Sequence, residues 1–238
     1  MKTRYQLRTN QIKSNQIDVN IEEVLRYLQY KSNDIDEETL RVLKESILEI
    51  KEISELRYVY RIIDIDKNDT SISFNNEFSI NSKDLSKLFK ASDKVAVLAS
   101  TLGLAVEKRI RYYSITNLSK AVIFDACATT YIEALCDYIE EEIREIAKEE
   151  NCGITFRFSP GYGDVPISHQ GDILRTLNAT KLIGLNASES SILIPRKSVT
   201  AFIGLDKSNT TKSIAKSCKK CNLFKTCTYS KEGGNCGK

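Results

Sequence analysis

The segment from Arg157 to Asp164 carries residue types that could bind a small molecule. It reads Arg-Phe-Ser-Pro-Gly-Tyr-Gly-Asp and holds two of the chain's 10 glycines and one of its 3 prolines. Phe156 and Phe158 alternate with Arg157, which predicts the end of a strand. The glycines and the proline then predict a turn whose main-chain groups can approach a ligand closely. Arg157 and Tyr162 in this turn could hold a carboxylate and a flat ring.

Other familiar catalytic and nucleotide-binding patterns are missing from the sequence. The chain has a single histidine, His169, which excludes mechanisms that need two histidines and argues against a Ser-His-Asp triad. It contains neither Gly-x-Gly-x-x-Gly nor Gly-x-x-x-x-Gly-Lys-Ser/Thr, so the usual cradles for nucleotide phosphates are absent. No residue is therefore predicted to be catalytic.

A row of polar residues interrupts a helix that is otherwise apolar almost all round, predicted from Leu118 to Cys136. The row has a spacing of four residues, which places its members on one side of the helix: Asp125, Thr129, Glu133 and Asp137. Carboxylates on such a helix are costly unless they are paired or face a wet cleft. Two interpretations stay open, an internal hydrogen-bond network and a ligand cleft bordered by Glu133.

Four of the seven cysteines crowd the end of the chain with the spacing C-x2-C-x5-C-x8-C: Cys218, Cys221, Cys227 and Cys236. The lysines around them favour thiolates, and four thiolates suit zinc or an iron–sulfur cluster. A thiol or disulfide pair and a disordered tail remain alternatives. The other three, Cys127, Cys136 and Cys152, are expected to be packing residues.

Hydrophobic periodicity and turn residues predict a mixture of helices and antiparallel strands without a regular βαβ rhythm, which favours an α+β fold. Asn81 is expected to cap a short helix. The predicted helices are 20–31, 36–56, 104–150 with a break near 114–117, and 168–178; the strands are 57–66, 71–74, 78–80, 94–98, 191–195 and 198–205. We expect three parts: an N-terminal helical and hairpin part (1–92), a ligand-binding core (93–210) and a Cys-rich tail (211–238).

Composition and charge restrict the compartments and binding partners expected for the protein. Hydrophobic residues make up 41% and charged residues 28% of the 238 residues, which is ordinary for a soluble protein. The net charge of +3 is too small to indicate nucleic acid binding, and no apolar run approaches a membrane span. The N-terminus lacks the apolar core of a secretory signal, so we expect a cytoplasmic protein.

The two central segments resemble a known family, the activation (reactivation) domain of cobalamin-dependent methionine synthase in its free-standing form. The similar residues are Arg157-Phe158-Ser159-Pro160-Gly161-Tyr162 and Ser188-Glu189-Ser190, with Ile194-Pro195-Arg196-Lys197-Ser198-Val199, Glu23-Val24-Leu25-Arg26-Tyr27-Leu28 and Thr101-Leu102-Gly103. This resemblance implies a C-shaped α+β fold that binds S-adenosylmethionine.

The resemblance also implies roles for single residues. Arg157 would meet the methionine carboxylate, Ser159 would offer main-chain contacts, and Tyr162 would pack beside the ligand. Gly161 of the same motif is also expected to be a cofactor-binding residue. In the family the helix that carries Glu133 contributes an acid to the cleft, and Glu189 belongs to the second similar segment.

The implied function is reductive methylation of cob(II)alamin held by a separate corrinoid-carrying methionine synthase, with electrons from a flavodoxin or ferredoxin. The chain is too short to hold homocysteine, folate and cobalamin modules as well. The alternatives are a module that senses S-adenosylmethionine without methyl transfer and a zinc-tail nucleic-acid binder, against which the near-neutral charge argues.

Overall fold

The computed structural model of the protein describes residues 7–30 and 35–208. Within them the chain forms helices and mainly antiparallel strands in no regular alternation, which confirms the α+β class. The helices are α1 (Ile21–Tyr27), α2 (Glu37–Ile53), α3 (Lys83–Leu88), α4 (Leu104–Thr116), α5 (Leu118–Glu149), α6 (Gln170–Thr176) and α7 (Ala179–Ile183). The strands are β1 (Arg8–Gln11), β2 (Arg57–Lys67), β3 (Ser71–Phe74), β4 (Phe78–Asn81), β5 (Ser92–Thr101), β6 (Gly153–Ile154), β7 (Asn186–Ala187), β8 (Leu193–Ile194) and β9 (Ser198–Asp206).

Local capping decides where two of the helices begin. The expected break in the long helical region lies at Asn117, whose side chain accepts a hydrogen bond from the backbone N–H of Lys120 at 3.0 Å. The expected cap at Asn81 was wrong, because Asn81 ends β4. Ser82 caps α3 instead, and its Oγ accepts from the Leu85 N–H at 2.9 Å. A serine hydroxyl in extended backbone satisfies a first-turn amide that would otherwise have no partner.

Seven strands form one sheet in the order β4-β3-β2-β5-β9-β6, with β1 pairing with β2. The expected hairpin is present as the antiparallel pair β3 and β4, in which Phe74 lies opposite Phe78. Strands β7 and β8 form a separate antiparallel pair of two residues each.

The described residues fall into two compact units that interleave along the chain. The first unit draws on Met1–Ile62, Val97–Glu142 and Ile167–Thr200, and the second on Ile63–Ala96, Ile143–Pro166 and Ala201–Lys238. The division at residues 92 and 210 that the sequence indicates stays a prediction.

The first unit builds its core on α5. Phe124 and Tyr131 on this helix are fully buried, as are Leu43 and Ile50 on α2. The Tyr131 hydroxyl donates a hydrogen bond to the carbonyl of Ser14 at 3.1 Å, which satisfies its one polar atom. Although α5 is 32 residues long, no helix in the described ranges has an apolar stretch sufficient to cross a bilayer.

The second unit has a small aromatic core formed by residues of β3, β4 and β9. The rings of Phe74 and Phe202 stack with centroids 4.9 Å apart, and Phe78 stacks on Phe74 at 4.6 Å. A Cβ at Gly204 would lie 2.7 Å from the ring of Phe89, so only glycine fits where β9 passes this ring. Close packing of this kind gives the loop at residues 159–165 a rigid base.

Candidate ligand-binding site

The predicted strand end in the second unit is a single antiparallel bridge between Phe158 and Phe202. Their backbones exchange two hydrogen bonds of 3.0 and 2.8 Å. Arg157 and Ser159 flank the bridge and are both half-buried. Because neighbours along a strand alternate in direction, these two residues lie on the face opposite Phe158. Phe158 is likewise half-buried, so all three side chains are partly open to solvent.

Residues 159–165, which we call the Gly-Pro loop, close on themselves through three backbone hydrogen bonds. The N–H of Gly161 donates to the Val165 carbonyl at 2.9 Å, Tyr162 to Ser159 at 3.2 Å and Val165 to Tyr162 at 3.1 Å. Gly161 has φ +94° and Gly163 φ +54°, which residues with a side chain rarely adopt. The loop therefore has a defined backbone that glycine makes possible.

Tyr162 lies at the outer side of the Gly-Pro loop with 69% of its surface exposed. Pro160 and Val165, by contrast, are buried. An aromatic ring on a closed loop with buried flanks is open to a flat ligand, as the sequence predicts for Tyr162. The ligand contacts themselves remain predictions.

The carboxylate of Asp164 ties the Gly-Pro loop to the start of α3. One of its oxygens accepts a hydrogen bond from the hydroxyl of Ser82, and the other accepts from the backbone N–H of Lys83 at 2.8 Å. Burial works to raise the pKa of Asp164, but these hydrogen bonds outweigh it and hold the pKa below its ordinary value. Sequence reasoning assigned this residue no role, since 82 residues separate it from Ser82.

In the first unit, Lys197 pairs with part of the polar row on α5. Its ammonium group lies 2.9 Å from Asp125 Oδ1 and donates to Thr129 Oγ1 at 2.7 Å. This pairing agrees with the network interpretation, while the ligand cleft stays a prediction for these two residues. They also line an open cavity of about 360 Å³ whose other walls come from α1 and α4, including Tyr27 and Ile110.

Glu133 follows one turn later on α5 and is half-buried. The pKa of Tyr27 is raised, first by burial and then by the negative charge of Glu133. Glu133 therefore acts electrostatically on a tyrosine of the cavity wall, while its contact with a ligand stays a prediction.

Glu189 is exposed in the turn that joins β7 and β8. The Ser188 N–H donates to the Ile192 carbonyl at 2.8 Å, and the Ser188 and Ser190 hydroxyls lie 2.9 Å apart. The serines on either side of Glu189 therefore shape the turn and leave its carboxylate at the surface of the first unit.

The structure joins two of the segments that carried the resemblance. The N–H of Leu102 donates to the Lys197 carbonyl at 3.0 Å, and the Ser198 hydroxyl donates to Thr101 Oγ1 at 2.8 Å. Thr101-Leu102-Gly103 and Pro195–Ser198 are neighbours in the first unit although they lie far apart in the sequence.

The predicted metal ligands Cys218, Cys221, Cys227 and Cys236 lie outside the described residues. Among residues 7–30 and 35–208, no group of three or more His, Cys, Asp or Glu side chains could hold a metal ion. Cys127, Cys136 and Cys152 are buried, as expected for packing residues. Burial raises the pKa of the Cys127 thiol to about 12, so this thiol is unreactive at neutral pH.

Comparison with known proteins agrees with the geometry. Among solved structures, the chain is similar to the MetH reactivation domain bound to AdoHcy, with a TM-score of 0.65 and 14% identity, over 98% of this chain and 87% of that chain. This likeness shows the fold. No curated protein sequence matches the chain. The family model described as vitamin B12 dependent methionine synthase, activation domain, matches residues 76–219, which contain the Gly-Pro loop, α5 and the Glu189 turn. The chain therefore belongs to the family of activation domains of vitamin B12 dependent methionine synthase.

Proposed function

We propose that the chain binds S-adenosylmethionine and supports the reductive methylation of cob(II)alamin on a separate, corrinoid-carrying methionine synthase. The observation that carries this proposal is the Gly-Pro loop with its flanking Arg157, inside the region that the family model matches. The similar solved structure was obtained with AdoHcy, the product that methyl transfer from S-adenosylmethionine leaves.

The residues of the loop suit a ligand that has a carboxylate and a flat base. A guanidinium group binds a carboxylate through two parallel hydrogen bonds, which is the role proposed for Arg157. Ser159 and Gly161 offer main-chain groups, and the exposed ring of Tyr162 offers an apolar face for the ligand. Glu133 and Glu189 keep their predicted roles as ligand contacts, each to be tested by its own substitution.

The partner's cobalamin, once reduced by one electron from a flavodoxin or ferredoxin, supplies a nucleophile that takes the methyl group, while the S–CH₃ electron pair stays on sulfur and AdoHcy leaves. This transfer needs no protein base, in agreement with a chain that has one histidine. The chain's task is to hold the methyl donor in line and to exclude water.

We expect Arg157→Ala to weaken S-adenosylmethionine binding by about 2 kcal/mol, roughly thirtyfold, because a charged hydrogen bond to the ligand is lost. Isothermal titration calorimetry on the full chain measures this. The matched control is Arg175→Ala, since Arg175 is a surface arginine with a 74% exposed side chain. Equal affinities of Arg157→Ala and the unaltered chain would contradict the carboxylate role.

Methyl transfer separates this function from a purely sensing module. The full chain is mixed with a cob(II)alamin-loaded methionine synthase, a one-electron reductant and S-adenosylmethionine labelled in its methyl group. Label on cobalt that depends on the chain supports reactivation. Binding without label transfer would leave the sensing alternative.

A further inference from the structure

The three backbone hydrogen bonds that close the Gly-Pro loop lie within the loop, so other contacts must attach it to the rest of the second unit. At one end, Phe158 is bridged to Phe202. At the other end, Asp164 accepts hydrogen bonds from the Ser82 hydroxyl and the Lys83 N–H. Between these points the loop contains two glycines with positive φ, whose backbones are intrinsically the most mobile.

The Asp164 attachment leads directly into the cap of α3. Ser82 donates its hydroxyl proton to Asp164, and the same Oγ accepts from the Leu85 N–H at 2.9 Å. The hydroxyl of Ser86 in turn donates to the Ser82 carbonyl at 2.8 Å. The loop and the first turn of α3 thus share one continuous hydrogen-bond network.

The loop also passes unusually close to α3 at Gly163. A Cβ built there would overlap the carboxylate of Asp84 and lie 3.1 Å from the ring of Phe158. The backbone at Gly163 therefore packs closely between Asp84 of α3 and the ring of Phe158. Asp164 adds hydrogen bonds to the start of α3.

We propose that Asp164 is a positioning residue of the ligand site: it fastens the Gly-Pro loop to the start of α3 and so holds Gly161 and Tyr162 in the conformation that binds S-adenosylmethionine. This inference rests on the proposed function, because it concerns the same site. In this role Asp164 acts through the loop and needs no contact of its own with the ligand. It keeps the loop ordered before the ligand binds. Binding then costs less conformational entropy, as in any preorganised site.

A carboxylate is well suited to this task because it accepts two hydrogen bonds in different directions at once. An asparagine keeps both attachments by accepting from the Lys83 N–H with its oxygen and donating to Ser82 Oγ with its amide. An alanine loses both. The Asp164→Asn and Asp164→Ala variants therefore separate the hydrogen bonds from the charge.

The test measures AdoHcy binding to the full chain by calorimetry at a temperature where every variant is folded. We expect Asp164→Ala to weaken binding about tenfold and Asp164→Asn to stay within about threefold of the unaltered chain. The control is Asp93→Ala, because Asp93 in the same unit also holds two partners, Lys67 and Lys207, away from the loop. It should lower the melting temperature without changing affinity.

Hydrogen exchange of the loop gives a readout that does not depend on the ligand. Without ligand, the amides of Gly161, Tyr162 and Val165 should exchange faster in Asp164→Ala than in Asp93→Ala or Asp164→Asn. Unchanged affinity in Asp164→Ala, or an equal loss in Asp93→Ala, would overturn the positioning role. If the unaltered chain binds no AdoHcy, the proposed function fails, and the exchange rates alone decide whether Asp164 fastens the loop.

Discussion

The candidate ligand-binding residues of the Gly-Pro loop are held in place by backbone geometry more than by side-chain packing. Tyr162 is 69% exposed, so little of the protein restrains its ring. Its place is set by the three hydrogen bonds that close residues 159–165. Both glycines of the loop, Gly161 and Gly163, have positive φ, which makes the loop sensitive to any added side chain.

Gly163→Ala should therefore harm the site although it adds one methyl group. At φ +54° an alanine is strained by about 1 kcal/mol, and its Cβ meets Asp84 and Phe158. We expect a lower melting temperature and weaker AdoHcy binding, measured by thermal unfolding and calorimetry. Gly171→Ala is the control, because Gly171 is in α6 with an ordinary φ and alanine favours helices. A Gly163→Ala variant that matches Gly171→Ala in both measurements would contradict this account.

At the scale of elements, α5 shows how carboxylates are accommodated on the largely apolar first part of a helix. Lys197 neutralises Asp125 and bonds Thr129, so part of the row is paired inside the first unit. The same contact fastens the segment before β9 to α5. Helix α3 plays the corresponding part in the second unit, where its capping serine meets the Gly-Pro loop.

The link between α3 and the Gly-Pro loop should weaken in acid. The folded-state pKa of Asp164 is lowered, so its contribution to stability is complete above the ordinary aspartate pKa of about 4 and is lost as the pH falls below it. Lys83 and Asp84 are the neighbouring charged residues on α3. Thermal unfolding of the unaltered chain and of Asp164→Asn at pH 7 and at pH 3 measures this. The difference in melting temperature between the two proteins should be smaller at pH 3. A difference that is equal at both pH values would refute it.

At the scale of the whole molecule, the family assignment agrees with the fold. The matched region, residues 76–219, begins at the β3–β4 turn and passes the end of β9. It therefore contains every element that carries Arg157, Glu133 and Glu189. Membership in this family supports the proposed role in reactivating a cobalamin enzyme, and the ligand contacts stay predictions.

The cysteines near the end of the chain predict one metal centre. Anaerobically purified chain should contain stoichiometric zinc, or iron with labile sulfide, because four thiolates suit either. Cys218→Ser with Cys221→Ser should lose this metal, whereas the buried Cys152→Ser should keep it. A metal-free chain in which all seven cysteines titrate as free thiols would contradict the prediction.

Much of the fold was predictable because its signals are local. The break at Asn117 and the hairpin of β3 and β4 lie where the sequence indicates, since capping and turn residues act within a few positions. The cap of α3 was misplaced by one residue because Asn81 and Ser82 are both good caps, and the pairing of β4 with β3 extends through Asn81. Strand β1 was not predicted at all, since its four residues are all exposed and carry no apolar alternation.

The class of fold, the family and a loop built from glycine and proline can be inferred from the amino-acid sequence alone, because each is encoded by neighbouring residues or by a continuous motif. The hydrogen bond between Asp164 and Ser82 and the ion pair between Lys197 and Asp125 become visible only in the folded chain. Contacts between residues so far apart in the chain leave no periodic trace in it. They form because strands and helices bring distant polar groups together where each must find a hydrogen-bonding partner.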